Sequence, residues 1–275
     1  MPDFNQQIIA EFRATGGRVG GWLADSRLLL LTTTGARSGA PHTVPVGYLP
    51  DGERQLVIGS AGGSSRHPAW FHNLVAHPRA TVEDGIFTYE VTATVLTGAE
   101  RDAVFARAVE ADPGWGAYEE TSGRTLPVVA LERVPGPPVP PGTPFGTGLR
   151  MIHDAFRREL ELIRAEVARA EGPTLGAQLR VNCLTLCQGL EFHHTMEDRG
   201  MFPAVAAQRP DLADVMARLR REHEVVAALL ADLQAAVSRD DPDRAAVRRD
   251  VERLTAQVEA HLAYEEEHLV PVLNG

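Results

Sequence analysis

The sequence predicts an α+β chain of two domains: a small, mostly antiparallel β-barrel over residues 1–134, then an up-down four-helix bundle over residues 149–275. Three observations predict it. Apolar and β-branched runs separated by turn residues dominate the first half. A 3.6-residue apolar period, without strand signals, takes over in the second. Between them, "PGPPVPPGTPFGTG" (135–148) holds six prolines and four glycines, a composition that favours extended, poorly packed backbone and reads as a linker. A length of 275 residues also suits two domains better than one.

In chain order, residues 4–14 read as an amphipathic helix that packs on the barrel. "RLLLLTTTG" (27–35) is a strand ending at Gly35. "HTVPVGYLPDGERQLVIGSAGG" (42–63) reads as two strands joined at Pro50-Asp51-Gly52. A helix over 68–76 precedes a second hairpin, "RATVEDGIFTYEVTATVL" (79–96), that turns at Asp84-Gly85. A helix over 99–111 and a last strand, "TLPVVALERV" (125–134), complete the first domain. After the linker, helices are expected at 148–170, 175–200, 210–237 and 242–270. Breaks fall at Gly172-Pro173, at 203–210 and at Asp240-Asp241-Pro242, with Asp211 and Asp241 as N-caps.

The formal net charge is −10, and acids outnumber cations in both halves. That argues against nucleic acid or an anionic membrane as partner, since both need clustered positive charge. Every cation is Arg. No apolar run is long enough to span a bilayer and no signal peptide is evident, so a cytoplasmic protein is expected. Cys183 and Cys187 lie four apart on one helix face, where nearly parallel side chains disfavour a disulfide; they read as core thiols.

Six of the ten histidines follow the linker: His153, His193, His194, His223, His261 and His268. All four expected helices carry at least one. His193 and Glu197 are four apart, as are His261 and Glu265, which puts each pair on one helix face. A metal in a bundle core needs helices that each project one or two ligands inward. Imidazole with carboxylate suits iron, and a carboxylate can bridge two metals. One such histidine alone would be an ordinary core or surface residue; the recurrence across four helices is what points to metal.

On "HDAFRRE", "HHTMED", "EHE" and "HLAYEEEHLVPVL", residues 150–273 resemble a hemerythrin-like HHE cation-binding domain. The resemblance implies a non-haem site with two Fe ions. His153, His193, His223 and His261 would be terminal ligands, with Glu197 and Glu265 bridging. Oxygen carriers of that family have a second histidine one turn further along the third helix, where this chain has Ala227. They also have an aspartate five residues after the last histidine, where this chain has Glu266. Such a site suits oxygen chemistry or sensing more than carriage. His194 or His268 would supply a fifth imidazole, or neither. At about 100° per residue, His194 and Asp198 are expected further round their helix, behind the ligands or on the surface.

In the first domain, "TTTGARSG" follows a strand directly. Its hydroxyls, glycines and Arg37 make a turn able to cradle phosphate. "GSAGGSSRHPAWFHNLVAHP" (59–78) is a second Gly/Ser turn feeding a helix, whose N-terminus favours anions. Taken singly these turns are ordinary hairpin loops. With the following "P-V-x-Y" and the closing "GRTLPVVALE", residues 4–134 resemble the deazaflavin-dependent nitroreductase family of split β-barrels. The resemblance implies coenzyme F420 as a hydride donor, with flavin mononucleotide as the alternative. The phosphate tail would lie at Thr33, Thr34, Gly35, Arg37 and Ser38, and the ring at Ser60, Ala61, Gly62 and Gly63. Trp70 and Asn73 would close the site. In "GWGAYEETSGR" (114–124), Tyr118 and Trp115 fall on the substrate side, as candidate catalytic residues.

The expected activity is a deazaflavin-dependent oxidoreductase coupled to a di-iron centre. It would reduce oxygen or peroxide, or oxidise a small organic substrate in an oxygen-dependent way. A deazaflavin gives up two electrons together, whereas di-iron centres are commonly reduced singly, so transfer between them needs an intermediary. The rival expectations are a sensor of oxygen, nitric oxide or iron with a scaffold barrel, and a quinone or nitro reductase with a passive iron domain. The substrate's identity and the oligomeric state are not legible, and a homodimer is left open.

Overall fold

The computed structural model describes residues 4–24, 26–136, 139–170 and 175–275. The chain forms two compact units: Met1–Pro141 with Gly176–Gln178, and Gly142–Leu175 with Leu179–Gly275. The expected break at Gly172-Pro173 lies outside the described residues, as do Pro137 and Pro138 of the expected linker.

The first unit is a closed, six-stranded antiparallel barrel. Its strands are β1 (Leu28–Thr34), β2 (Pro41–Asp51), β3 (Arg54–Ile58), β4 (Arg79–Glu83), β5 (Thr88–Val95) and β6 (Val128–Arg133). They follow one another around the barrel as β1-β2-β3-β6-β5-β4, and β4 pairs back onto β1. Leu31 stands opposite Val44 on one side and Val82 on the other. Four helices accompany the strands: α1 (Phe4–Ala14), α2 (Ala69–Ala76), α3 (Gly98–Ala111) and α4 (Gly114–Ser122).

The run Leu28–Leu31 does not alternate with polar residues, and the packing explains why. Leu29 and Leu31 point into the barrel with Val57, Val82, Val129 and Leu131. Leu28 and Leu30 face the other way and are covered by Ile8, Ile9 and Phe12 of α1. Both faces of β1 are therefore buried, and each fully buried leucine contributes about 1.5–3 kcal/mol. On β3 and β6, Leu56, Ile58, Val128 and Ala130 similarly meet Val104, Phe105 and Ala108 of α3.

The hairpin β2–β3 turns at Gly52, whose φ of 63° suits glycine, while Pro50 and Asp51 still belong to β2. At the other hairpin, Asp84 Oδ1 accepts from the backbone N–H groups of Ile86 and Phe87, and Gly85 takes a φ of 98°.

The second unit contains four long helices: α5 (Phe145–Arg169), α6 (Ala177–Met196), α8 (Ala213–Val237) and α9 (Arg244–Leu273). A π-helical turn at Glu197–Met201 and the short α7 (Phe202–Gln208) follow α6. The expected N-caps differ. Asp243, not Asp241, accepts from Ala245 N–H, since the helix starts beyond Pro242. Asp211 instead pairs with Arg209 in a short turn ahead of α8.

Each long helix crosses three layers. One is apolar, with Leu160, Leu186, Leu230 and Leu254 among its members. At the opposite end is a second apolar layer, with Leu149, Met201, Leu219 and Leu269. The order in which α5, α6, α8 and α9 meet these layers alternates, which makes the bundle up-down-up-down. His153, His193, His194, His223 and His261, from all four helices, fall between the two layers.

Candidate metal centre and cofactor site

Helix α5 brings His153 into the middle layer, α6 with its π turn brings His193, His194 and Glu197, α8 brings His223, and α9 brings His261 and Glu265. None is more than 8% exposed. Their ligand-capable atoms form two four-residue groups. One is His153, His193, Glu197 and Glu265; the other is His194, Glu197, His223 and His261. Within each, the atoms lie within 4.8 Å of one another, and Glu197 is common to both.

The two oxygens of Glu197 serve different groups. Oε1 lies 3.1 Å from His193 Nε2, and Oε2 lies 3.5 Å from His223 Nε2. Glu265 Oε2 stands between the groups as well, 3.5 Å from His153 Nε2 and 3.7 Å from His261 Nε2. Three of the five Nδ1 atoms face a carboxylate. His153 Nδ1 is 2.9 Å from Glu266 Oε1, His261 Nδ1 is 3.0 Å from Glu222 Oε2, and His223 Nδ1 is 3.1 Å from Asp198 Oδ1. At His153 and His261 the carboxylate is hydrogen-bonded to Nδ1, which fixes the tautomer and leaves Nε2 as the inward ligand; Asp198 lies close to His223 Nδ1 without forming a hydrogen bond.

The site's electrostatics follow from burial. Desolvation first, then the neighbouring Glu265, hold the Glu197 carboxyl well above the usual range. Glu265 is pushed up to about 8, again mainly by burial. Burial pulls the imidazoles down: His193 well below its ordinary value, His261 to about 4, and His153, His194 and His223 in the same direction. Both oxygens of Glu197 and of Glu265 are buried without a hydrogen-bond partner, as are Nε2 of His153, His193 and His194. Orphaned polar atoms in this number are costly unless a cation answers them. Five imidazoles and two carboxylates fit a pair of iron ions.

In the barrel, the loop 34–40 between β1 and β2 is closed by Gly35 N–H donating to Ala40 O and Gly39 N–H donating to Gly35 O. A Cβ at Gly35 would displace the Ser38 hydroxyl and lie 3.0 Å from the His42 ring, so a larger residue there would disturb the loop. Thr34, Arg37 and Ser38 are exposed on this loop. Arg37 has no carboxylate partner among the described residues, and the loop itself carries no acid, which fits an anionic tail.

Asn73 organises the loop from within α2. Its Nδ2 donates to Thr33 Oγ1 at 2.9 Å, and its Oδ1 accepts from Ala36 N–H at 2.9 Å. Thr33 is thereby buried, and its hydroxyl is turned inward. The second loop bends through three consecutive positive φ angles, at Ala61, Gly62 and Gly63. For Ala61 this is a strained conformation, of the kind that clusters at ligand sites. Gly62 is open: a Cβ there would meet nothing within 4 Å.

Residues 5–133 match the family described as F420H(2)-dependent quinone reductase, and residues 147–273 match the hemerythrin HHE cation binding domain. An F420H(2)-dependent quinone reductase of Mycobacterium tuberculosis is 35% identical over 130 residues, covering 45% of this chain and 86% of that protein. The chain belongs to the F420H(2)-dependent quinone reductase family. It joins an F420H(2)-dependent reductase domain to a hemerythrin-like cation-binding domain. A second M. tuberculosis protein, a putative F420H(2)-dependent quinone reductase, is 29% identical over 103 residues, 38% of this chain and 87% of that one. A solved F420-H2 dependent reductase is 36% identical, covers 38% of this chain and 94% of its own, and superposes with a TM-score of 0.36.

Within this reductase domain the structure separates the expected residues. Tyr118 lies beside the second loop, 3.5 Å from where a Cβ on Gly63 would stand, and is 41% exposed. Trp115 packs on the α3 core and meets the Tyr118 ring edge-on at 6.2 Å. Trp70 belongs to the barrel interior. The segment 114–124, expected as a loop, is mostly helix α4, ended by Gly123 at a φ of 62°. Arg124, carried only as part of a motif, clamps the second loop. Its guanidinium donates to the carbonyls of Gly59, Ser60 and Ser64 and lies 2.8 Å from His67 Nδ1.

In the hemerythrin-like domain the main departure is His194. It stands inside the second group, its ring stacked on His223 at 4.2 Å. The sequence carried a signal for this: at about 100° per residue, His194 falls within the arc of Cys183, Leu186, Cys187 and Leu190, all of them buried. Glu197 lies between His193 and His194 on the same wheel, so both flank it. His268 is outside both groups. Its Nδ1 bonds to Tyr264 O, and its ring lies on Tyr264. The two cysteines are buried and form no disulfide, and Cys187 is pushed up to about 12 by burial. Among the described residues, no helix is long and apolar enough to cross a membrane.

Proposed function

We propose that this chain couples oxidation of reduced coenzyme F420 on its barrel to a non-haem di-iron centre in its bundle, so that oxygen or peroxide is reduced. The observation that carries the reading is the pair of four-residue groups sharing Glu197, a donor set for two metals rather than one. Glu197 and Glu265 are the proposed bridges. His153 and His193 would hold one iron, and His194, His223 and His261 the other. Bound there, iron would supply one-electron redox chemistry. Glu266 and Glu222 hold the tautomers of His153 and His261, Asp198 stands beside His223, and the apolar layers above and below exclude water.

On the barrel, Arg37, Thr34 and Ser38 would bind the anionic tail of the deazaflavin. Asn73 holds their loop in shape, and the loop 60–63 would carry the ring. Bound there, the reduced coenzyme supplies a hydride. Tyr118, at the edge of that loop, would contact a small organic substrate, with Trp115 as its support. A quinone, the substrate class named for the mycobacterial relatives, suits the join between the two chemistries. It accepts a hydride and a proton together, and it gives electrons up singly.

The test uses purified protein with its iron per chain measured. Reduced coenzyme F420 is added with and without oxygen, with and without a quinone, to loaded and chelated protein. Consumption that requires both oxygen and about two irons per chain supports the reading. Turnover indifferent to iron leaves a quinone reductase with a passive metal domain, and absence of coenzyme binding removes the enzyme reading altogether.

A further inference from the structure

A cavity of about 460 Å³ lies between α6 and α8. Its inner wall is His194 and His223, stacked on one another and both members of the second histidine group. Its outer wall carries Glu191, Asp198 and Glu224 against a single guanidinium, Arg220. His194 is 5% exposed, and its Nε2 is buried with no hydrogen-bond partner. We propose that this cavity is the path by which a divalent cation reaches the histidine layer. The proposal rests on the metal-binding reading above.

At the other three seams a side chain stands in front of the histidine layer. Between α5 and α9, Arg157 and Glu266 pair at 2.8 Å behind His153. Between α8 and α9, Arg218 binds Glu222 at 2.7 Å and lies 3.6 Å over the Tyr264 ring. Between α5 and α6, the Phe156 ring packs on His193. A cation approaching the first two meets guanidinium, and at the third it meets a phenyl ring. Approach along the bundle axis would cross an apolar layer and strip the ion of water without replacement. Among the described residues, the α6–α8 seam brings together open volume, an excess of carboxylate and ligand nitrogens at its floor. Such a field raises the arrival rate of cations and makes it salt-dependent. Ala227, one turn beyond His223, keeps the seam open because its side chain is a methyl group.

The test is the rate at which chelated, full-length protein takes up Co(II), followed by its visible absorption in a stopped-flow instrument. Ala227→Trp should slow uptake at least tenfold with final cobalt per chain unchanged. The double variant Glu191→Gln/Glu224→Gln should slow it several-fold and flatten its dependence on salt. Thermal unfolding checks that Ala227→Trp is folded; should it not fold, the double variant decides alone. Wild-type uptake rates in the folded variants would overturn the path while leaving the metal site standing. A wild-type protein that binds no Co(II) would overturn the metal site and the path together.

Discussion

Replacing Glu265 by Gln should move the stability of the metal-free and metal-loaded protein in opposite directions. Glu265 is wholly buried, and both its oxygens lack hydrogen-bond partners. Its carboxyl is pushed from the model-compound value of 4.5 up to about 8. A folded-state value above the unfolded one means that the folded chain holds the proton more tightly. This group's contribution is therefore intact below pH 4.5 and is lost as pH rises towards 8. At pH 7 the deficit spans the interval from 4.5 to 7, at about 1.4 kcal/mol per unit, or roughly 3 kcal/mol. Gln keeps the shape of the protonated acid and needs no proton. In chelated protein at pH 7 it should raise the melting temperature of the bundle by roughly 10 °C, and at pH 4.5 it should change little. The variant also relieves Glu197, whose carboxyl the neighbouring Glu265 helps to hold up, so both carboxylates shift stability at pH 7 in the same direction. In iron-loaded protein the same variant should lose at least one iron and melt lower. The assay is thermal unfolding at both pH values with and without chelator, beside iron per chain. A variant that melts lower in the chelated form at pH 7 would refute the reasoning, because Glu265 would then be an ordinary structural acid.

Other outcomes follow from single contacts. His194→Ala should lower iron per chain from about two towards one, as measured by atomic absorption; retention of both irons would return His194 to a packing role. Glu266→Gln leaves His153 Nδ1 without its carboxylate and should weaken iron binding roughly 10–100-fold, read by competition with a chelator. Arg37→Ala should weaken coenzyme F420 binding about tenfold or more, the scale of a lost charge-assisted hydrogen bond, and should flatten its salt dependence in a fluorescence titration. Asn73→Leu strands Thr33 Oγ1 and Ala36 N–H, should cost about 1–3 kcal/mol of stability, and should weaken coenzyme binding through the loop rather than by lost contact.

Periodicity and turn chemistry were enough to expect the barrel, the bundle and nearly all of their elements. The sheet could be read because Gly52 and Gly85 mark hairpin turns and the apolar runs have strand length. The bundle could be read because His-x-x-x-Glu recurs at one helical turn on α6 and α9. Helix α4 was not legible: Gly114, Gly116 and Thr121 are weak helix formers, and its stability comes from packing on α3 and on the loop 61–63. The cap of α9 was misplaced by two residues, because Asp241 and Asp243 look alike until the position of Pro242 relative to the helix is known.

Which residue types can ligate, and at what helical spacing, is a local property, so the chain by itself named His153, His193, Glu197, His223, His261 and Glu265 as candidates. Rotation of a helix about its axis is decided by all of its neighbours at once. Only the packed bundle could turn His194 inward beside His223, set Glu197 between two histidine groups, and send His268 away to Tyr264. Tertiary contact likewise decided that Asn73 holds the loop 34–40, that Trp70 fills the barrel and that Arg124 clamps the second loop. Hydrogen bonds between residues 37 to 65 positions apart in sequence exist only once the barrel closes.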